Sequence, residues 1–565
     1  MTRILHFFPA ALMLIILAAA CACGGGPADR NTPQRIFLVT LDTTRADHFD
    51  YSLTDNSLTP NFARLASEGQ YFENAYALIP ITLPSHASIF YSQPPHRLKI
   101  YNNGQVQNVH FPSLTQLLKG NGFHTGAVVS LGVLKSDFGL NKGFEHYVEN
   151  FKPYLWIRKA GDVNRDMTAL VTEMEAGQTD GNTRSFYWLH YSDPHEPYFP
   201  PCDDGDFTVS LNGKIIFTCP STEQPLVNLE LQLKPGPNTL LLNTTAPTAL
   251  QDYGVTPEYI KYHELTLGPP LGGANRSNRT NKSYRTFTIV PPANWTKKEG
   301  DSGTNYYSTP LRSEVTLLNG GNKPATARLS FRYSMEVKDA AKKLFYKEEI
   351  KYMDRMFGEF ISFLKERGLY EGSAFIVVGD HGEGLGGYHR HFGHIHYLHK
   401  AYTRVPLIAA GPGIPRLGKR EEPVSTLNIA PTILDLAGIP GSDFMLGHSL
   451  LKPLSHRTLL LETYSPEAYF DAFSLIDYPW QIVFYPGRTK NKLEFYNVEN
   501  QPTETRDLNI IDNITDAAKS DPVRKIKTGL INSVLKISRI ITATRGKPGK
   551  FSKRHREILK SLGYL

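Results

Sequence analysis

Two short apolar runs that both stop at an acidic residue constrain the fold most. Arg35-Ile36-Phe37-Leu38-Val39-Thr40-Leu41 leads directly into Asp42, and Ala374-Phe375-Ile376-Val377-Val378 leads into Gly379-Asp380-His381. Neither run alternates apolar with polar side chains. Each therefore predicts a strand buried on both faces, as in a parallel sheet covered by helices. Polar residues just past the carboxyl ends of such strands are where α/β sheets hold ligands. Helical patterns lie between them: Thr59 to Ala66 has Pro60 near its first turn, and Leu114 to Lys119 lies in a second helix. Asp339 to Arg367 makes a long amphipathic helix with Phe345, Ile350, Met353, Phe357 and Ile361 on a stripe suited to core packing. The expected fold is α/β around a mostly parallel sheet.

The texture changes between about Asp203 and Glu336. Phe207 to Leu211 alternates, Asn212-Gly213 is a hairpin signal, and Lys214 to Phe217 returns. Leu226–Leu233, Thr239–Leu242, Ser313–Leu317 and Ala327–Tyr333 continue in the same manner, which predicts an inserted β-sandwich. Gly268 to Arg285, rich in Gly, Asn, Arg and Ser, predicts a loop. A chain of 565 residues is also longer than one compact core usually covers. The expected organisation is a signal segment at 1–20, a spacer at 21–34, a catalytic core in two parts at 35–202 and 338–565, and the β-rich insertion at 203–337.

Arg3 precedes an almost wholly apolar stretch, Ile4 to Ala20, which ends in Leu17-Ala18-Ala19-Ala20-Cys21. Small residues before a Cys resemble a lipoprotein signal, with Cys21 as the lipidated residue; an uncleaved transmembrane anchor is the alternative. Both put the body in the cell envelope, on the periplasmic or surface side, attached to membrane. Cys202 and Cys219 remain, and an oxidising compartment would allow them a disulfide. The net charge of +7 is concentrated in the tail, where Asp516 to Leu565 holds thirteen Lys/Arg against three Asp/Glu. Such a tail suits anionic lipid or polysaccharide, or simply a solvated helical face. No nucleic-acid module is expected.

The chemistry lies in five clusters. They are Asp42-Thr43-Thr44-Arg45, Thr82-Leu83-Pro84-Ser85-His86, Asp193-Pro194-His195-Glu196-Pro197, Gly379-Asp380-His381-Gly382-Glu383, and Gly393-His394 ahead of Arg404-Val405-Pro406. Taken in this order, they resemble the sulfatase branch of the alkaline-phosphatase superfamily. The likeness covers about Arg35–Pro201 and Asp339–Leu451, together with the closing Ser561-Leu562-Gly563-Tyr564-Leu565. The insertion has no counterpart in that core.

One departure stands out. Sulfatases carry Cys-x-Pro-x-Arg, whose first residue becomes formylglycine; here the segment begins with Thr82, whose Cβ methyl forbids that aldehyde, and ends in His86. Thr-x-Pro-x-His is instead similar to the nucleophile segment of nucleotide pyrophosphatase/phosphodiesterases. A Thr hydroxyl is a weak nucleophile at neutral pH and needs a cation to stabilise its alkoxide. The resemblance assigns Asp42, Asp380, His381 and Thr82 to one divalent ion. His195 and His394, with Asp193, go to a second ion or to the substrate. Zn, Mn, Ca and Mg are all compatible. Thr82, His86 and His195 are the expected catalytic residues, and Asn102, Asn103 or Lys135 would supply donors to substrate oxygens. Between Asp380 and His399 lie six of the chain's 19 His; of these, His389, His391, His396 and His399 have no counterpart in the family pattern.

These residues imply a metal-dependent phosphodiesterase or phosphatase working through a covalent Thr82 intermediate. The alternatives are a sulfatase without formylglycine, a phospho-group transferase on envelope glycans or lipids, and a non-catalytic binding lipoprotein. The expected partner is a phosphorylated or sulfated small molecule or glycan.

Overall fold

The computed structural model describes residues 32–54, 57–152, 155–176, 183–198, 206–220, 226–244, 259–268, 287–299, 305–387, 391–454, 458–464, 471–489, 492–499 and 521–544. The expected signal with Cys21, Cys202 of the expected disulfide, nearly all of the 268–285 loop, His389 and the end of the basic tail lie outside the described residues; Cys219 is buried.

The main sheet is built from β1 (Arg35–Leu41), β2 (Gly69–Phe72), β3 (Phe123–Val128), β4 (His146–Val148), β5 (Arg184–Tyr191), β6 (Ser373–Gly379), β7 (Leu407–Ala410) and β8 (Gly418–Arg420). Its spatial order is β8-β2-β7-β6-β1-β5-β3-β4. All neighbours run parallel except β7, which is antiparallel to both β6 and β2.

Helices α1 (Pro60–Ser67), α2 (Thr82–Tyr91), α3 (Leu114–Gly120), α4 (Ala160–Ala176), α5 (Asp339–Glu366) and α6 (Ile429–Leu436) cover both faces. β1 shows why its sequence is apolar throughout. Phe37, Val39 and Leu41 join a core with Val163 and Met167 of α4 and Met353 and Phe357 of α5. The alternate residues Ile36 and Leu38 join Leu83 and Ala87 of α2, Leu114 of α3 and Ile433 of α6. A strand with helices on both sides has no face left for polar side chains.

The β-rich segment forms two five-stranded sheets, with every neighbouring pair antiparallel. Their facing side chains, including Val209, Leu240 and Leu317 from one sheet and Val227, Tyr262 and Leu329 from the other, share one apolar cluster. Asn212 and Gly213 turn the first hairpin with φ of 50° and 85°, the positive values that this residue pair tolerates. The stripe on α5 is divided between two cores. Phe345 and Ile350 pack into the cluster of the β-rich sheets, whereas Met353 and Phe357 pack beneath the main sheet. One helix thus ties the insertion to the catalytic layer.

A four-stranded antiparallel sheet (459–463, 472–477, 480–484, 493–497) follows. The described part of the basic tail forms α7 (Asp521–Thr544), which buries Leu530, Val534 and Ile541 against Phe473, Leu475 and Ile482. Its Arg524, Lys525, Lys536 and Arg539 are exposed. Among the described residues, no helix is long and apolar enough to cross a membrane.

Candidate active site

Register places the site. Leu41 of β1 lies level with Gly379 of β6 and Tyr191 of β5, so the residues after each strand emerge side by side. Asp42 N donates to the Tyr191 carbonyl at 2.8 Å, and Asp380 N donates to the Leu41 carbonyl at 3.2 Å. The chain then turns sharply at Thr43, a non-glycine residue at φ 51°. This turn lets Thr43 N donate to Asp380 Oδ1 at 3.1 Å. Left-handed backbone at a β-branched residue is strained, and such strain is typical of functional sites.

Asp42, Asp380 and His381 are fully buried, and a donor atom from each lies within 4.8 Å of the others. Asp42 Oδ1 and Asp380 Oδ2 accept no hydrogen bond. Burial and the adjacent Asp42 carboxylate push the Asp380 pKa well above its ordinary value. Burial also works against ionisation of Asp42, but the His190 hydrogen bond and the nearby His195 and His381 imidazoles outweigh it and hold that pKa at about 2. Burial lowers the His381 pKa to about 4, which leaves its ring neutral and able to ligate. Two converging carboxylates with unsatisfied oxygens beside a neutral imidazole are costly to bury alone, and they fit a divalent cation.

Thr82 is the first residue of α2, and its Oγ1 lies 3.3 Å from His381 Nε2. The positive end of the helix therefore faces any negative charge that develops there. Asn103 Oδ1 accepts from Leu83 N at 2.8 Å and so caps the same turn. Its Nδ2 is buried and has no hydrogen-bond acceptor, so a donor is left beside the nucleophile.

His86 lies one turn along α2 and turns its ring into the protein. The ring is fully buried, with Nδ1 2.8 Å from the Thr82 carbonyl and Nε2 3.0 Å from Thr40 Oγ1. Both ring nitrogens are thus engaged inside the protein. Lys135 departs from expectation: its Nζ pairs with Glu149 at 3.0 Å and sits over the Phe151 and Trp156 rings. The Asp193 carboxylate accepts from Ala160 N at 3.0 and 3.2 Å, at the start of α4. The Asn102 amide, in its satisfied orientation, donates to the carbonyls of Tyr101 and Tyr464.

His195 and His394 remain near the site. The His394 ring lies 4.5 Å from that of His381 and 5.3 Å from that of His195. Glu383 Oε2 holds His394 Nδ1 at 3.3 Å. Among the described residues, the only grouping of metal-ligating side chains is Asp42, Asp380 and His381. His399 engages Glu494 and Tyr496 instead.

Two residues near the site, Glu383 and His190, lie outside the roles expected from the sequence. Glu383 was visible beside the Asp-His pair but had no evident task until its contact with His394 appeared. His190 is a lone imidazole in the apolar strand Phe186-Tyr187-Trp188-Leu189-His190-Tyr191, and that placement was the available signal.

Comparison with known proteins agrees with this architecture. The family model described as Sulfatase matches residues 34–439. Arylsulfatase K of Danio rerio is 23% identical over 451 residues, covering 78% of this chain and 73% of its own length. An N-acetylglucosamine-6-O-sulfatase of Bacteroides thetaiotaomicron is 22% identical over 490 residues, covering 83% and 79%. A solved structure in complex with its substrate D-glucosamine-2-N,6-O-disulfate superposes with a TM-score of 0.56 at 14% identity, covering 92% of this chain and all of that one. The phosphonate monoester hydrolase from Silicibacter pomeroyi gives 0.53 at 16% identity, covering 89% and 95%. These likenesses establish the α/β fold of the alkaline-phosphatase and sulfatase structures.

Proposed function

Because this chain belongs to the sulfatase family, we propose that it is a metal-dependent hydrolase of a sulfuric or phosphoric ester and that it attacks with the unmodified hydroxyl of Thr82. The observation that carries this reading is the position of Thr82 Oγ1, 3.3 Å from His381 Nε2 at the positive end of α2. A divalent cation held by Asp42, Asp380 and His381 would offset their charge and favour the Thr82 alkoxide.

In the reaction, Thr82 Oγ1 gives up its proton to solvent, a bond forms from Oγ1 to the central sulfur or phosphorus, and the bond to the ester oxygen breaks. His195 is the imidazole we assign to the proton that the departing alcohol requires. Asn103 Nδ2, fixed by its own Oδ1 cap, donates to an oxygen of the transferring group. Water then attacks the same central atom and releases Thr82. His86 keeps the nucleophile turn in place from beneath.

The relatives support a sulfuric ester more than the phosphodiester expected from the sequence. On that reading, the substrate is a sulfated glycan or a small sulfated molecule. A phosphoric ester is the second reading, favoured by residue 82: Thr cannot form the formylglycine hydrate, and direct hydroxyl attack suits phosphorus. Lipidation at Cys21 and a place in the cell envelope belong to the same proposal; incorporation of a labelled acyl chain that is lost in Cys21→Ala tests them.

Hydrolysis of matched p-nitrophenyl sulfate, phosphate, bis-phosphodiester and phosphonate, with and without chelator, tests the activity. Chelator-sensitive turnover of one ester class that disappears in Thr82→Ala is the expected result. Turnover that survives Thr82→Ala would remove the nucleophile assignment.

A further inference from the structure

His190, near the end of β5, lies beside Asp42, with its ring 4.9 Å from that of His86. Its ring is fully buried, and Nε2 lies 3.2 Å from Asp42 Oδ2. On the other side, Nδ1 lies 2.7 Å from Ser130 Oγ and 3.4 Å from Ser130 N. Ser130 Oγ in turn lies 2.7 Å from Ser192 Oγ, and both serines are fully buried. The Ser130 hydroxyl donates to Ser192, and its oxygen and backbone N anchor the Nδ1 side of the ring, which turns Nε2 toward Asp42.

We propose that His190 is a positioning residue for the cation site: anchored at Nδ1 by Ser130, it holds Asp42 Oδ2 through Nε2 and leaves Oδ1 of the same carboxylate for the ion. This rests on the reading that Asp42, Asp380 and His381 hold a divalent cation. Asp42 follows the last residue of β1, and Asp42 Oδ2 is the atom that His190 restrains. Oδ1 accepts no hydrogen bond, which is the condition of an atom kept for a ligand. Ser130 and Ser192 follow the adjacent strands β3 and β5, so three neighbouring strand ends fix one carboxylate. Groups behind a ligand are often worth about 10- to 100-fold in metal affinity.

Two substitutions of similar polarity separate positioning from packing. The His190→Gln amide nitrogen reaches about as far as Nε2, and can still donate to Asp42. The shorter His190→Asn amide stays near Ser130 and cannot. Binding of Mn2+ to the chelator-treated full chain is measured by titration calorimetry, with thermal melts recorded in chelator and Asp42→Asn as the control.

His190→Asn is expected to bind Mn2+ about 10- to 100-fold more weakly than the native chain. His190→Gln is expected to stay within about threefold of it. Equal affinity in Asn, Gln and native chains would overturn the proposal. An equal loss in both variants would do the same, since it would indicate packing alone. If the native chain and Asp42→Asn both failed to bind Mn2+, the cation site itself would fall, and this inference with it.

Discussion

Each polar group around Thr82 has a distinct physical task. Thr82→Ala should lower kcat/KM by at least about a thousandfold, as steady-state kinetics would show. Asn103→Ala removes both the cap on Leu83 N and the free Nδ2 donor. It should cost about a hundredfold in kcat, the usual value of one donor to a developing charge. Asp193 offers a test by pH. Burial raises its pKa to about 7, so between 3.8 and about 7 the folded chain keeps a proton that the unfolded chain has released. That contribution to stability is lost as pH rises through this window. Asp193→Asn has no such loss, so its Tm relative to the native chain should climb between pH 5 and pH 8. A flat difference would contradict the buried cap. The grouping of Asp42, Asp380 and His381 was legible in the sequence because the ends of two buried strands mark it. The tasks of His86, Lys135 and Asp193 were not legible. Whether a polar side chain faces the cleft or the backbone behind it depends on contacts 30 to 50 residues away in sequence for His86 and Asp193, such as Thr40 and Ala160.

At the scale of elements, α5 and the hairpin before His394 carry the coupling between insertion and site. Leu385 is buried in the same apolar cluster as Phe345 and Ile350, and Phe392 packs at its edge. The short pair Gly384–Leu385 and Phe392–Gly393 therefore takes its position from the β-rich sheets and presents His394. Leu385→Ala should destabilise the protein by about 2–5 kcal/mol, as core truncations do. It should also lower kcat with little change in Mn2+ affinity, because Asp42, Asp380 and His381 stand on the main sheet. Denaturant unfolding paired with kinetics would check both. The strands themselves were readable in advance: β1 and β6 from uninterrupted apolar runs, and the insertion from alternation and Asn212-Gly213. The stripe on α5 was also readable as core packing. Its division between two cores was not, because periodicity shows which side chains are buried and not what covers them.

For the whole molecule, the cation is expected to link stability to function. Asp42 and Asp380 are two fully buried carboxylates whose mutual repulsion is relieved only by proton or metal uptake. Mn2+ at one hundred times its Kd should stabilise the native chain by about 2.7 kcal/mol, and chelator should remove that gain. The increase in Tm should be absent in Asp42→Asn. The fold as a whole could be read from sequence because the site segments recur in order along 35–201 and 339–451. The seating of α7 on the last sheet could not, since a basic amphipathic helix has the same composition whether it is solvated or docked. The most direct measurement is mass spectrometry of the Thr82 peptide after acid quench during turnover of the best p-nitrophenyl ester. A sulfo or phosphoryl adduct on Thr82, lost after the substrate is exhausted, is the predicted result, and its exact mass also separates the two ester classes. An unmodified Thr82 throughout turnover, with the adduct elsewhere or nowhere, would contradict covalent catalysis by this residue.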